Sequence, residues 1–291
     1  MSQAGPWRLL MYLVLPQPTN MAFLPTELKG RLGRINLAAS LEMYSGSGAS
    51  GYNATHGYAE ADHHEYPSQQ LVETVWSIGG YGRALDLGAG SGYFTRLLAR
   101  RAETVVAVEL VPDMQEVLRK ACEASRIHNV EVLGSSASEI AHTLPAASVD
   151  SALVIQSLHH MHDRHEIFAA LGTVVRPGGR LFLIEPHHNL RRVARLARKW
   201  IRYYRAPEYW SREINWNTHD FLTCGELRAL CRHGGFERPR ITGYWFPYMS
   251  RLVPNLAVRF RLETLLGRVA GIRHGAGVLA VETRRLTRTH G

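Results

Sequence analysis

The stretch Ala84-Leu85-Asp86-Leu87-Gly88-Ala89-Gly90-Ser91-Gly92 decides the fold, together with Val105-Val106-Ala107-Val108-Glu109, whose acidic end lies seventeen residues beyond the last glycine. The two read as strand, glycine turn, helix, strand and acidic tip. A chain builds this unit to hold a nucleoside against the carboxyl ends of parallel strands. Glycines at alternating positions let the backbone turn sharply and approach a ligand without Cβ interference. A helix starting near Tyr93-Phe94-Thr95 presents unpaired N–H groups to the turn. Glu109 then stands where a carboxylate accepts hydrogen bonds from both ribose hydroxyls.

The spacing argues against a dinucleotide. That fingerprint, Gly-x-Gly-x-x-Gly, requires a third glycine at position 93, which is Tyr93; the glycine falls at Gly92. Asp86, two residues before the first glycine, would repel a pyrophosphate but suits a cationic ammonium. S-adenosylmethionine (SAM) offers an ammonium and a ribose and carries no phosphate. The pattern resembles the class I SAM-dependent methyltransferases.

The resemblance runs from about residue 67 to residue 291. It implies an α/β, Rossmann-like, doubly wound sheet of seven strands with the last antiparallel, covered by a helical substrate cap. Asn129 to Leu133 resembles the third strand, followed by the adenine-side loop Gly134 to Ala137. Ser136 stands where many members carry Asp, so a hydroxyl or the backbone alone meets the adenine amine. Ser148 to His160 resembles the fourth strand and its end at the reaction centre. Arg176-Pro177-Gly178-Gly179 resembles the turn into the fifth strand, Arg180 to Pro186. The implied cofactor-binding set is Asp86, Gly88, Ala89, Gly90, Gly92, Glu109, Leu110, Ser136, Ala137 and Gln156. His159, His160, His162, His165, His187 and His188 gather near strand ends, but no Asp/Asn set resembling the divalent-metal methyltransferases accompanies them. His160 is the candidate general base, with His187 and Glu185 as rivals.

Residues 1–66 precede the methyltransferase-like domain 67–291 as a leader and cap segment. Leu9 to Leu15 is a short apolar run without a small-residue cleavage site, which reads as a frayed leader rather than a signal peptide, with Met21 an alternative start. Ser45-Gly46-Ser47-Gly48-Ala49-Ser50-Gly51 reads as a flexible loop. Tyr52, His56, Tyr58, His63, His64 and Tyr66 follow it, and Tyr58 or His64 is placed to touch the cofactor. Pro67 to Ile78 and Pro112 to Ser125 read as helices. Asp163-Arg164-His165-Glu166 and Thr223-Cys224-Gly225-Glu226 read as capping boxes. Insertions 187–222 and 247–272 would build the substrate chamber; the aromatics of the first, Trp200 to Phe221, either line an apolar pocket or pack the lid.

The net charge of +9 is almost wholly arginine, with Lys29, Lys120 and Lys199 the only lysines. Residues 189–205 carry Arg191, Arg192, Arg195, Arg198, Lys199, Arg202 and Arg205 and no acid. Leu190, Val193, Ala194, Ala197, Trp200, Ile201 and Tyr204 recur on the opposite arc, predicting an amphipathic helix capped by Asn189 and stopped at Ala206-Pro207. Three readings compete: a lid with a solvated face, a membrane-surface helix serving a lipid-like substrate, and a nucleic-acid contact. No recognisable RNA-binding motif accompanies the arginines, which disfavours the last. No apolar run approaches the ~20 residues that span a bilayer. Cys122, Cys224 and Cys231 lack metal or disulfide spacing, pointing to a reducing, cytoplasmic setting. The expectation is methyl transfer to a small apolar metabolite, lipid-, quinone- or polyketide-like. The alternatives are an RNA or protein methyltransferase and a SAM-binding protein that transfers no methyl.

Overall fold

A computed structural model of the chain describes residues 5–56, 66–75, 82–216 and 220–287. Seven strands form one sheet: β1 (Arg83–Leu87), β2 (Thr104–Val108), β3 (Val130–Leu133), β4 (Val149–Ile155), β5 (Val175–Pro186), β6 (Arg240–Tyr244) and β7 (Val278–Arg284). Their order is β3-β2-β1-β4-β5-β7-β6. All neighbouring pairs are parallel except those of β7, which runs antiparallel to both β5 and β6. The order reverses between β1 and β4, and the crevice at such a switch point receives the ligand in doubly wound sheets.

The helices used below are α1 (Pro6–Val14), α2 (Leu32–Tyr44), α3 (Ser47–His56), α4 (Tyr93–Ala99), α5 (Pro112–Ala124), α6 (Arg164–Val174), α7 (Leu190–Tyr203), α8 (Cys224–His233) and α9 (Leu256–Arg268). Central strands are apolar on both faces because helices cover both. Leu85, Val106, Val154 and Leu183 pack on one side. Ala84, Val105, Leu153 and Phe182 pack on the other. The Pro-Gly-Gly turn is absorbed into β5: β4 advances from 149 to 151 while β5 advances from 175 to 180, and Gly178 takes φ +76°.

Several local expectations are revised. The run Leu9 to Leu15 is no frayed leader. It lies largely in α1, whose Leu9, Tyr12 and Leu13 are buried with Leu196, Trp210 and Trp216. Residues from the N-terminal segment and from insertion 187–222 thus share a small core of their own. Tyr12 donates to the Trp216 carbonyl at 2.6 Å. Six of the insertion's aromatics pack there, and Phe221 alone of the set turns to the cleft. The Gly/Ser stretch is not a loop either, because it enters α3: Ala49 is buried with Val111 and Met114, and a Cβ on Gly48 would stand 2.1 Å from the Met43 carbonyl oxygen. Small residues are what allow this close approach.

Pro67 to Ile78 is helical as far as it is described, with a π-helical turn at Leu71–Val75. Asp163 makes no side-chain capping bond to α6. At α8 only half the box forms: Thr223 accepts from the Glu226 amide, while the Glu226 carboxylate pairs with buried Arg164 and ties α8 to α6. Asn189 caps α7 as expected. The helix's apolar arc is divided, however: its Trp200 and Tyr204 pack in the cap core, joined there by Leu196 and Tyr203 from outside the arc, whereas Leu190 and Ile201 are 85% and 63% exposed. No helix among the described residues is long and apolar enough to cross a membrane.

Candidate active site

The carboxyl ends of β1, β2 and β4 open into a cleft of about 2080 Å³. Small-molecule pockets run to ~300–1,000 Å³, so this space suffices for two ligands side by side. Asp86, Gly88, Ala89, Gly90, Glu109, Leu110, Ser136, Ala137 and Gln156 all line it. Gly92 does not: it is the left-handed N-cap of α4 at φ +81°, and a Cβ there would meet Leu118 at 2.8 Å. Its glycine serves turn and packing rather than direct contact.

The glycine turn is held to the next strand by hydrogen bonds. The Gly88 and Ala89 amides both donate to the Val108 carbonyl, at 2.9 and 3.0 Å. The following residue is Glu109, whose Oε2 accepts from the Gly90 amide at 2.8 Å and whose Oε1 accepts from the Val111 amide at 2.9 Å. Glu109 is thereby fixed beside the turn, each carboxylate oxygen retaining acceptor capacity toward the cleft. Burial raises its pKa, and the backbone donors oppose that rise. Asp86 is buried and accepts from the Thr95 hydroxyl at 2.6 Å. Burial pushes its carboxyl up to about 6, Thr95 lowers it, and the nearby Glu109 charge raises it further. Two buried carboxylates beside a glycine cradle form an electronegative pocket with close backbone approach. This suits a cationic, ribose-bearing, phosphate-free ligand.

A helical hairpin covers this pocket. Tyr52 of α3 approaches Gly90, and Tyr44 of α2 packs edge-on against Tyr52 and His160. Burial, with Glu109 adding to it, drives the Tyr44 phenol up to about 12, so it stays neutral. Tyr58 and His64 lie outside the described residues. Tyr44 carries no motif in the sequence; only the packing of α2 and α3 over the turn reveals it.

The loop after β4 is organised by one carboxylate. Glu185, fully buried at the end of β5, accepts from the amides of Ser157, Leu158 and His159 and bonds His159 Nδ1 at 2.8 Å. Because β4 and β5 are adjacent, this pairing joins residues 26 apart. The preceding residue, Gln156, holds φ +48°. His160 also lines the cleft, but its Nε2 faces the Tyr44 oxygen at 3.4 Å. His187 is buried with Nδ1 against the Ala276 carbonyl, and burial first of all depresses it to about 4. Among the described residues no group of three or more His, Cys, Asp or Glu side chains is placed to hold a metal ion.

The far end of the cleft is walled by the two insertions. Arg191, Arg192 and Arg195 of α7 line one side. The Arg192 guanidinium lies 4.1 Å over the Phe221 ring, and burial brings its pKa down to about 10. Trp245, Phe246, Tyr248, Arg259 and Glu263 line the other. Trp245 and Tyr248 take positive φ, the conformation that larger side chains seldom adopt outside functional sites.

Residues 85–183, which contain the glycine turn, Glu109 and the β4–β5 pair, match the methyltransferase-domain family. This stretch is a methyltransferase domain of the SAM-dependent kind. Its cofactor is SAM. The methyltransferase is 28% identical over 186 residues to a ubiquinone biosynthesis O-methyltransferase of Xanthomonas euvesicatoria, an alignment covering 62% of this chain and 74% of the relative. Its fold is similar to that of an O-methyltransferase family protein of Burkholderia thailandensis, at TM-score 0.56 and 15% identity over 93% of this chain and 72% of the other. It is similar too to phosphoethanolamine N-methyltransferase 2 of Haemonchus contortus, at TM-score 0.58 and 14% identity over 87% and 60%. These two structures bear on the fold of the methyltransferase alone.

Proposed function

We propose that the methyltransferase alkylates a hydroxyl oxygen of a small, apolar, quinone- or lipid-like molecule. The observation that carries this reading is His159, which lines the cleft and is held from behind by fully buried Glu185. An alcohol or phenol must lose a proton on methylation, whereas a neutral amine or an activated carbon has less need of a base. Glu185 fixes the imidazole through Nδ1, so Nε2 is the nitrogen that takes the hydroxyl proton. His159 replaces His160 as the favoured base because Glu185 fixes its ring in one orientation, whereas the His160 ring packs on Tyr44 without such an anchor. The ubiquinone biosynthesis O-methyltransferase relatives support a hydroxyl acceptor.

When bound, SAM supplies an electrophilic methyl on a sulfonium leaving group. Glu109 accepts the ribose hydroxyls. Asp86 would face the ammonium, and the backbone of Gly88, Ala89 and Gly90 would allow close approach. Leu110, Ser136 and Ala137 border the adenine, and Ser136, whose hydroxyl is 3.0 Å from that of Ser138, stands in for the usual carboxylate. Gln156 borders the reacting end. Tyr44 and Tyr52 exclude water, and holding the acceptor oxygen in line supplies much of the acceleration.

The same proposal includes a membrane-surface contact through residues 189–205. Leu190, Ala194 and Ile201 form an exposed apolar stripe. The exposed Arg191, Arg195, Arg198 and Arg202 flank it, as in interfacial helices. The test is transfer from methyl-labelled SAM into a cell lysate, split afterwards into organic-soluble, RNA and protein fractions. Label in the organic fraction of the acidified lysate is expected. Label in RNA or protein would replace this substrate class with the macromolecular alternative, and SAM bound without transfer would favour a non-methylating role.

A further inference from the structure

The inner stripe of α9 is Arg259, Glu263 and Gly267, one residue per turn, all buried while Val258, Leu262 and Leu265 face outward. This departs from the ordinary pattern, in which a helix buries an apolar stripe, although Phe260 beside it packs on the core and stacks on Tyr244. Two of the three inner residues are matched by close neighbours. Gly267 rests directly on β6, where a Cβ would stand 1.9 Å from the Gly243 carbonyl oxygen. Glu263 accepts from the Trp245 and Phe246 amides at 3.0 and 3.3 Å. Arg259 is 5% exposed and lines the cleft. Its guanidinium makes no hydrogen bond or ion pair among the described residues, while its backbone amide donates to the Asn255 carbonyl within the helix. Glu263 feels the Arg259 charge, but its oxygens are turned to the Trp245 and Phe246 amides and no ion pair joins the two side chains.

The Arg259 nitrogens are not among the sealed, partnerless polar atoms, so the guanidinium opens to the cleft on an otherwise buried side chain, where an anion meets it with little competition from bulk water. Such a group is completed by an anion that arrives with the ligand. The anion's owner follows from the topology. Helix α9 packs on β6, four strands from β1 in the sheet order, or ~19 Å at ~4.8 Å per strand. The cofactor cradle is at β1 and β2, so Arg259 is at the acceptor's end. Arg191, Arg192 and Arg195 across the cleft keep that end positive.

We propose that Arg259 anchors a carboxylate of the methyl acceptor, a group separate from the hydroxyl that receives the methyl. This rests on the reading of the cleft as a small-molecule methylation site and narrows the substrate to acidic, hydroxyl-bearing metabolites.

The test uses the full chain, methyl-labelled SAM and a small-molecule extract of the native host, with unreacted SAM removed before analysis. Products are partitioned into organic solvent at pH 7 and at pH 2. A carboxylic acid enters the solvent only when protonated, whereas a phenol or methoxyarene enters at both. Wild type is expected to yield label that extracts at pH 2 and stays aqueous at pH 7. Arg259→Met should cut that yield about tenfold or more, with Arg259→Lys keeping part of it, because a charge-assisted bidentate contact is lost. SAM affinity measured by calorimetry should stay within about twofold in both variants, which also verifies their folding. Label extracting equally at both pH values would overturn the carboxylate anchor and leave small-molecule methylation standing. Label that stays aqueous at both would overturn it as well, marking a phosphate or another permanently polar product. Weakened SAM binding in Arg259→Met would assign the anion to the cofactor, and an undiminished acidic yield in that variant would overturn the anchor outright. No labelled small molecule from wild type would overturn the methylation reading and the anchor together.

Discussion

Replacing Asp86 by Asn should make the apoprotein more stable and the cofactor complex weaker. Burial, with the Glu109 charge adding to it, lifts the Asp86 carboxyl from 3.8 to about 6. A shift of that size corresponds to about 3 kcal/mol, at ~1.36 kcal/mol per pH unit. The sign follows from linkage. The folded chain holds the Asp86 proton more tightly than the unfolded chain does. The associated stability is fully present below pH 3.8 and is lost as pH rises through about 6. Above that range the ionised carboxylate destabilises the apoprotein by the whole amount. Asn carries no such charge, and its amide oxygen still accepts from Thr95. Asp86→Asn should therefore raise the apoprotein's Tm at pH 8 by about 6 °C or more, at ~2–4 °C per kcal/mol for a chain of this class. The gain should shrink markedly at pH 5. SAM affinity at pH 8 should fall about tenfold or more, because the ammonium loses its counter-charge. Thermal melts at the two pH values and calorimetric titration with SAM read both effects. A variant no more stable than wild type at pH 8, or stabilised equally at pH 5, would refute the assignment of a strained carboxylate. Unaltered SAM affinity would refute its role opposite the ammonium.

The catalytic assignment predicts that His159→Ala lowers kcat by ~10²–10⁴ with SAM binding intact and partial rescue by added imidazole, whereas His160→Gln loses far less; the reverse order would restore His160 as the base. Gly267→Ala forces a Cβ into the Gly243 carbonyl, so α9 must lift from β6, and urea denaturation should show a loss of ~1–3 kcal/mol; an unchanged midpoint would show that the helix is not seated as described. Leu190→Asp combined with Ile201→Asp should release the protein from anionic phosphatidylglycerol vesicles in a flotation assay, and binding by wild type should weaken as salt rises. Equal flotation of the double variant would remove α7 from any membrane contact.

What was legible in the sequence was what local chemistry enforces. The turn at Gly88 and Gly90 needs positive φ, Glu109 follows an unbroken apolar strand, and Asn189 precedes an uninterrupted helical repeat; each signal lies within a few residues of what it specifies. The misreadings arise where tertiary packing overrides composition. Ser47 to Gly51 suggests a loop until Ala49 is seen to be buried and Gly48 to be pressed against α2. The run after Arg8 gains its order from Leu196 and Trp216, some two hundred residues away. The Glu185–His159 bond depends on the adjacency of β4 and β5, and a reader who aligned those two strands would have found it. Arg259 was the least legible of all, because α9 leaves Val258, Leu262 and Leu265 exposed while burying Arg259 and Glu263, so apolar periodicity does not mark its inner face.

The central claim is transfer of a methyl group to the oxygen of a small molecule. The most direct measurement is carbon-13 NMR of the organic-soluble product formed from carbon-13-methyl SAM by the purified protein in host extract. A transferred carbon resonating as a methoxy group is the predicted result. A signal in the N-methyl or C-methyl region, or label confined to RNA or protein, would contradict the account.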